Sequence, residues 1–197
     1  MPLAPVTALT RKLKWDDFVK DDRAAPTPGV IATSAGTHTD MGIGGLSVQP
    51  VANSKPVKYK LDREPTVNVT FMADSWVAKY VFTWDQDKQD ALLDHEQIHY
   101  LISAVSGRDC LEVLKKLQQK SYDDTATAIS EVTAAQSILD VQDIQNKYDA
   151  DTKGQPSSYT AEQLKWATAV RASLTANTPL RPALELAGLI PKPGATP

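Results

Sequence analysis

The chain has 197 residues, enough for one domain with a sizeable core, and its single cysteine, Cys110, excludes an intramolecular disulfide and a cysteine-rich zinc site. A formal net charge of -3 and a pI near 5.6, with lysines scattered among acids, give no general attraction to phosphate backbones, so no nucleic-acid partner is expected. Met1 to Lys14 lacks the apolar run of a secretory signal and no stretch of about 18 apolar residues follows, so no membrane partner is expected either.

On these grounds the chain is expected to be soluble, cytoplasmic or released without a visible signal, and to act as a monomer. The first half reads as strands and loops. Ala24 to Gly45, rich in Pro, Gly, Thr and Ala, favours irregular structure, and short extended pieces follow at Gly45 to Val51 and Lys55 to Leu61. The clearest strand is Thr66 to Met72, where Val67, Val69 and Phe71 alternate with Asn68 and Thr70. Trp76 to Trp84 is a second extended run, and Ala73-Asp74-Ser75 between the two reads as the turn of a hairpin.

The second half reads as helix. Lys88 to Ser106 keeps Ala91, Leu92, Ile98, Ile102 and Val105 at helical spacing, with Asp85 or Asp87 as cap and Gly107 as the stop. A helix from about Asp109 to Gln119 follows, with Cys110 as a small apolar residue near its start, and then a long one from about Asp124 to Tyr148. Thr160-Ala161-Glu162-Gln163 matches a capping box and opens a fourth helix to about Leu174. Beyond Asn177, prolines 179, 182, 191, 193 and 197 leave room for a short helix around Pro182 to Leu189 and then a tail. Residues 1–176 are thus read as a single domain and 177–197 as a Pro-rich tail. The expected fold class is α+β: a small antiparallel sheet from the N-terminal half packed on a C-terminal helical layer.

His95-Glu96-Gln97-Ile98-His99 lies within the first of these helices and reads H-E-x-x-H. Histidines at i and i+4 stack on one helical face, so both imidazoles reach one metal ion, with the glutamate beside them. The chain has three histidines, and chance placement of the other two residues around any of them is on the order of a few in a thousand, so the motif is not compositional noise. A zinc ion bound this way keeps a position open for water and lowers its pKa, and Glu96 serves as the general base during attack on a carbonyl.

Catalytic zinc takes three protein ligands, so one more is required. His38 sits in a Gly-rich and Thr-rich loop that favours a solvent-facing side chain. The acids downstream are Glu131 in the body of the long helix, and Asp149 or Asp151 at its end, where Thr152 is placed to hydrogen-bond the Asp149 carboxylate.

Several ordered pieces carry a resemblance. Leu13-Lys14-Trp15-Asp16-Asp17-Phe18, Ser75-Trp76, Leu92-Leu93-Asp94-His95-Glu96-Gln97-Ile98-His99, Tyr148-Asp149-Ala150-Asp151-Thr152 and Gln163-Leu164-Lys165-Trp166 resemble a bacterial domain family of largely uncharacterised proteins read as zinc-dependent proteases. That family is recognised by an H-E-Q-x-H helix followed by Tyr-Asp-x-x-Thr. The resemblance implies Asp149 as the third zinc ligand, similar to the two-histidine, one-aspartate set of the deuterolysin type, and a tyrosine near the oxyanion, for which Tyr148 and Tyr159 are both candidates. The family segment often continues to a His-Gly pair, where this chain has Gly154-Gln155.

The sequence therefore points to a zinc metalloendopeptidase acting on a peptide or protein substrate, with His95, His99 and Asp149 on the metal and Glu96 as base. The strand Thr66 to Met72 is expected to form the rim of the cleft and to offer a free edge to the substrate. The alternatives are a catalytically silent zinc-binding or peptide-binding domain, and a structural domain without metal.

Overall fold

The computed structural model of the protein describes residues 7–23, 34–152 and 161–192. Short strands and 3-10 turns occupy the N-terminal half: β1 (Val19–Asp21), β2 (Ala35–Gly36), β3 (Thr39–Gly44), β4 (Val48–Pro50), β5 (Tyr59–Leu61), β6 (Thr66–Phe71) and β7 (Trp76–Ala78). Five helices follow: α1 (Gln86–Gln118), α2 (Thr125–Gln136), α3 (Gln142–Thr152), α4 (Ala161–Ala176) and α5 (Leu180–Leu186). The strands pack on the helical layer, and α1 carries the H-E-x-x-H motif, which is the α+β arrangement expected. The β region is not one antiparallel sheet. It consists of a mixed three-stranded piece, β1-β7-β2, and two antiparallel pairs, β3-β6 and β4-β5.

Thr66–Phe71 is a strand with Val67 and Phe71 buried and Asn68 and Thr70 exposed, as its alternation demands. Its partner corrects the expected hairpin: β6 pairs with β3, from Thr39↔Phe71 to Gly44↔Thr66, and not with the run that follows it. That run is strand only over Trp76–Ala78, where Val77 and Ala78 are wholly buried, and turns into a 3-10 segment over Lys79–Thr83. Half of the region read as irregular, 34–44, therefore supplies β2 and β3. Its glycines hide the strand signal because they contribute no side chain to an alternating pattern.

The motif helix is almost twice the expected length. Gly107 does not end it, and the helix expected at Asp109 to Gln119 is its continuation, so Cys110 lies wholly buried in mid-helix with its thiol pushed up to about 11 by burial and the neighbouring Asp109. The cause is packing on two sides. Tyr100, Ala104, Leu111 and Leu114 of α1 join the strands and α2 in one core, while Ile98, Ile102 and Val105 join α3, α4 and α5 in another. A helix sandwiched in this way gains burial on every turn, which overrides the cost of about 1 kcal/mol for an internal glycine.

Gly107 is there for space. A Cβ on it would lie 2.5 Å from Val69 Cγ2 of β6. Gly107→Ala is expected to destabilise the protein by about 1–3 kcal/mol through overpacking, despite alanine's better helix propensity. Urea unfolding of the purified variant tests this; a variant more stable than the parent would mean that β6 is free to retreat.

The expected long third helix is broken. It ends at Gln136, passes through a 3-10 turn at Ser137–Leu139 and an extended Asp140, and restarts at Gln142. The two cores explain the break, since Ala128 and Ala135 of α2 belong to the strand side of α1 and Ile144 and Tyr148 of α3 to the opposite side. A straight helix cannot serve both.

The fourth helix starts at Ala161, and the proposed cap Thr160 lies outside the described residues. After it, Leu180, Leu184, Leu189 and Ile190 are buried in the second core. Arg108 and Asp109 of α1, both buried, anchor this segment. Arg108 pairs with the Asp109 carboxylate and donates to the carbonyls of Ser173 (3.1 Å) and Thr178 (2.7 Å), and Asp109 accepts from the Leu180 amide (2.7 Å). Among the described residues no helix is long and apolar enough to cross a membrane.

Candidate metal centre

His95 and His99 stand one turn apart on α1 and face α3. Their Nε2 atoms are 3.0 Å apart, and Asp149 Oδ1 lies 3.2 Å from Nε2 of His99 and 3.5 Å from Nε2 of His95. With metal–ligand bonds near 2.0–2.1 Å, the edge of a tetrahedral zinc site is about 3.3 Å, so this triangle has the size that one small cation requires. The histidine side chains are 16% and 12% exposed and that of Asp149 is 39% exposed, so the cluster opens to solvent on the Asp149 side.

The chemistry of the donors fits a cation as well as the distances do. Thr152 Oγ1 donates to the Tyr148 carbonyl (2.7 Å), so it can only accept from His95 Nδ1 at 3.4 Å. Neutral His95 then turns a lone pair on Nε2 towards the His99 ring and the Asp149 carboxylate. In metal-free protein a proton takes the cation's role. Burial pushes the His99 imidazole down, but the hydrogen bond to Asp149 and the charges of Glu96 and Asp149 outweigh it and hold it above its ordinary 6.5. Burial likewise pushes the Asp149 carboxyl up, but the imidazoles of His95 and His99 against it hold it well below the usual carboxylate range.

α3 delivers the second half of the centre on one stripe. Gln145, Tyr148, Asp149 and Thr152 lie at i, i+3, i+4 and i+7 and therefore share a face. Tyr148 stacks on His95 with ring centroids 4.6 Å apart and meets His99 edge-on at 4.8 Å. It is wholly buried, its hydroxyl has no hydrogen-bond partner among the described residues, and burial with the nearby charges of Asp94 and Glu96 pushes its phenol far up. Tyr148 thus packs as a wall against both histidines with its hydroxyl buried; Tyr159 and the Gly154-Gln155 pair lie outside the described residues. Thr152 also departs from expectation, because it faces His95 and not the Asp149 carboxylate.

The rival ligands are engaged elsewhere. Glu131 accepts from Lys120 (2.8 Å) and from the Tyr122 hydroxyl (3.2 Å). Asp151 pairs with Lys147 and accepts from Trp166 Nε1 at 3.0 Å. His38 points away from α1: Thr37 and Thr39 on either side of it hydrogen-bond Glu96 O and Ser103 Oγ, and its own ring pairs with Asp74 at 3.2 Å. Glu96 is 3% exposed, and its Oε2 has no hydrogen-bond partner among the described residues.

Three contacts had no counterpart in the sequence reading. Gln97 clamps the N-terminal segment to α1, accepting from Leu13 N at 2.7 Å and donating to Arg11 O at 3.2 Å. Ser103 and Thr39 link hydroxyl to hydroxyl at 2.8 Å, which brings the start of β3 against α1 one turn beyond His99. Gln145 touches His99, and the polar stripe on α3 is the signal that would have found it.

No protein-family model matches this chain, and none of the curated proteins or solved structures matches it either. The centre's own chemistry therefore carries the argument: a His-His-Asp cluster able to coordinate a metal ion, in the H-E-x-x-H geometry of zincin-type sites.

Proposed function

We propose that the protein is a zinc-dependent metallopeptidase in which His95, His99 and Asp149 hold the metal and Glu96 is the general base. The observation that carries this reading is the convergence of three acceptor atoms within 3.5 Å of one another, with the buried Glu96 beside His95 on the helix, whose Oε2 lacks a hydrogen-bond partner among the described residues. Zinc in such a site lowers the pKa of a bound water and polarises a substrate carbonyl.

Glu96 supplies the proton transfers. Its carboxylate accepts a proton from the attacking water and returns it to the leaving amine nitrogen, which balances the hydrolysis without another acid. The substrate is an extended peptide. β3 has β6 on one side and no second strand among the described residues, and its other edge is the one we assign to strand pairing with the substrate. Family membership on the ordered motifs, from Leu13-Lys14-Trp15 to Gln163-Leu164-Lys165-Trp166, belongs to the same proposal.

Protein purified without a polyhistidine tag is expected to carry one zinc per chain and to cleave denatured casein, and to lose cleavage on chelation and regain it with zinc. Zinc without cleavage would leave a silent zinc-binding domain. No zinc at all would remove the centre.

A further inference from the structure

We propose that Gln145 is a positioning residue for this centre: its side-chain amide fixes the tautomer and ring orientation of His99 and ties that histidine to strand β3. The proposal rests on the reading above only in taking His99 Nε2 as a metal ligand.

The amide's orientation follows by elimination. Gln145 lies 3.0 Å from the His99 carbonyl and 3.2 Å from Ser103 Oγ through Nε2, and a carbonyl only accepts, so the NH2 end must face it. The amide oxygen is thereby directed at His99 Nδ1, at 2.5 Å. An amide oxygen has no hydrogen, so Nδ1 must carry one. Neutral His99 is left with its lone pair on Nε2, aimed at His95 Nε2 and Asp149 Oδ1. The opposite tautomer would put a hydrogen where the cation belongs.

The same amide is linked to β3. Ser103, wholly buried, passes the contact on to Thr39, the first residue of β3. One side chain therefore holds a metal-binding histidine by its Nδ1 and its backbone carbonyl, and connects it through one hydroxyl to strand β3. Glutamine suits this place because it accepts and donates at once. Glutamate would keep the acceptor for Nδ1–H but lose the two donors, and methionine would fill the volume and offer neither.

That difference gives the test. Gln145→Met is expected to weaken zinc binding by about 10–100-fold, the usual effect of losing a hydrogen bond behind a metal-bound histidine. Gln145→Glu is expected to recover most of that affinity, while urea unfolding of the metal-free protein shows it destabilised at least as much as Gln145→Met. A residue with a merely structural role would move affinity and stability together. Nitrogen NMR of histidine-labelled, metal-free protein in alkaline solution reads the tautomer directly: His99 in the parent is expected to carry its hydrogen on Nδ1, and in Gln145→Met to populate both forms. Parent-like zinc affinity in Gln145→Met, or an unchanged tautomer, overturns the proposal. If the parent takes up no zinc, the metal reading fails, and the nitrogen spectra still decide the role of Gln145.

Discussion

Glu96→Gln is expected to keep its zinc and its fold and to lose peptide hydrolysis by about 100-fold to 10,000-fold, the range for removing a positioned general base. The substitution keeps the volume of a side chain that is 3% exposed, so it opens no cavity. It also leaves His95, His99 and Asp149 untouched, so metal content separates loss of chemistry from loss of the site. A glutamine accepts hydrogen bonds through its oxygen but cannot hold the proton that water must give up. Casein turnover at matched zinc occupancy is the measurement, and an unchanged rate would sink the mechanism.

Asp149→Ala is expected to lose most of its affinity for zinc, whereas Glu131→Ala, run beside it, is expected to bind as the parent does. Removing Asp149 leaves two imidazoles for a cation that takes three protein ligands, and His95→Ala or His99→Ala should be equally damaging. Glu131 is already paired with Lys120 and Tyr122, so its loss is felt there and not at the histidines. Loss of affinity in the Glu131 variant alone would transfer the third ligand to α2.

The same titrations carry a pH signature. Zinc competes with the proton on His99, whose folded pKa lies above 6.5, so affinity should rise with pH through the ordinary imidazole range, up to that raised value, and then level. The metal-free protein shows the opposite trend. The His99–Asp149 pair contributes fully below 6.5 and loses its contribution as pH rises through the folded pKa, while at the acid end it fades from about 3.8 downward, where Asp149 of the unfolded chain takes up a proton that the folded protein still excludes. Zinc should therefore raise the melting temperature most in alkaline solution.

The histidines and Glu96 were legible because four-residue spacing on one helix is a local property. Asp149 was legible only with the help of the Tyr-Asp-x-x-Thr segment, since fifty residues separate it from His99 and no periodicity spans that gap. The strand β6 was visible from Val67, Val69 and Phe71, but its partner β3 was not, because Gly42 and Gly44 leave gaps in the alternation. Gly107 read as a stop by its helix propensity, while its place is set by Val69 pressing on α1. The break at Asp140 escaped notice for a related reason: it answers to which core each half must fill, which is decided by tertiary contacts and not by the residues at the bend.

The buried guanidinium of Arg108 bears on where the chain can be shortened. Its donors are satisfied by Ser173 and Thr178, and the carboxylate beside it by the amide of Leu180. Trimming after Ala176 would delete two of these three partners together with the buried Leu180 and Leu184, leaving a charged fork facing an emptied hydrophobic seat about two-thirds of the way along α1. Because α1 is one continuous rod of about 50 Å, loosening that seat would reach His99 only nine positions away. Truncation libraries of this protein should therefore show a sharp loss of soluble yield for end points between 176 and 190, although that stretch is rich in proline and distant in sequence from the histidines.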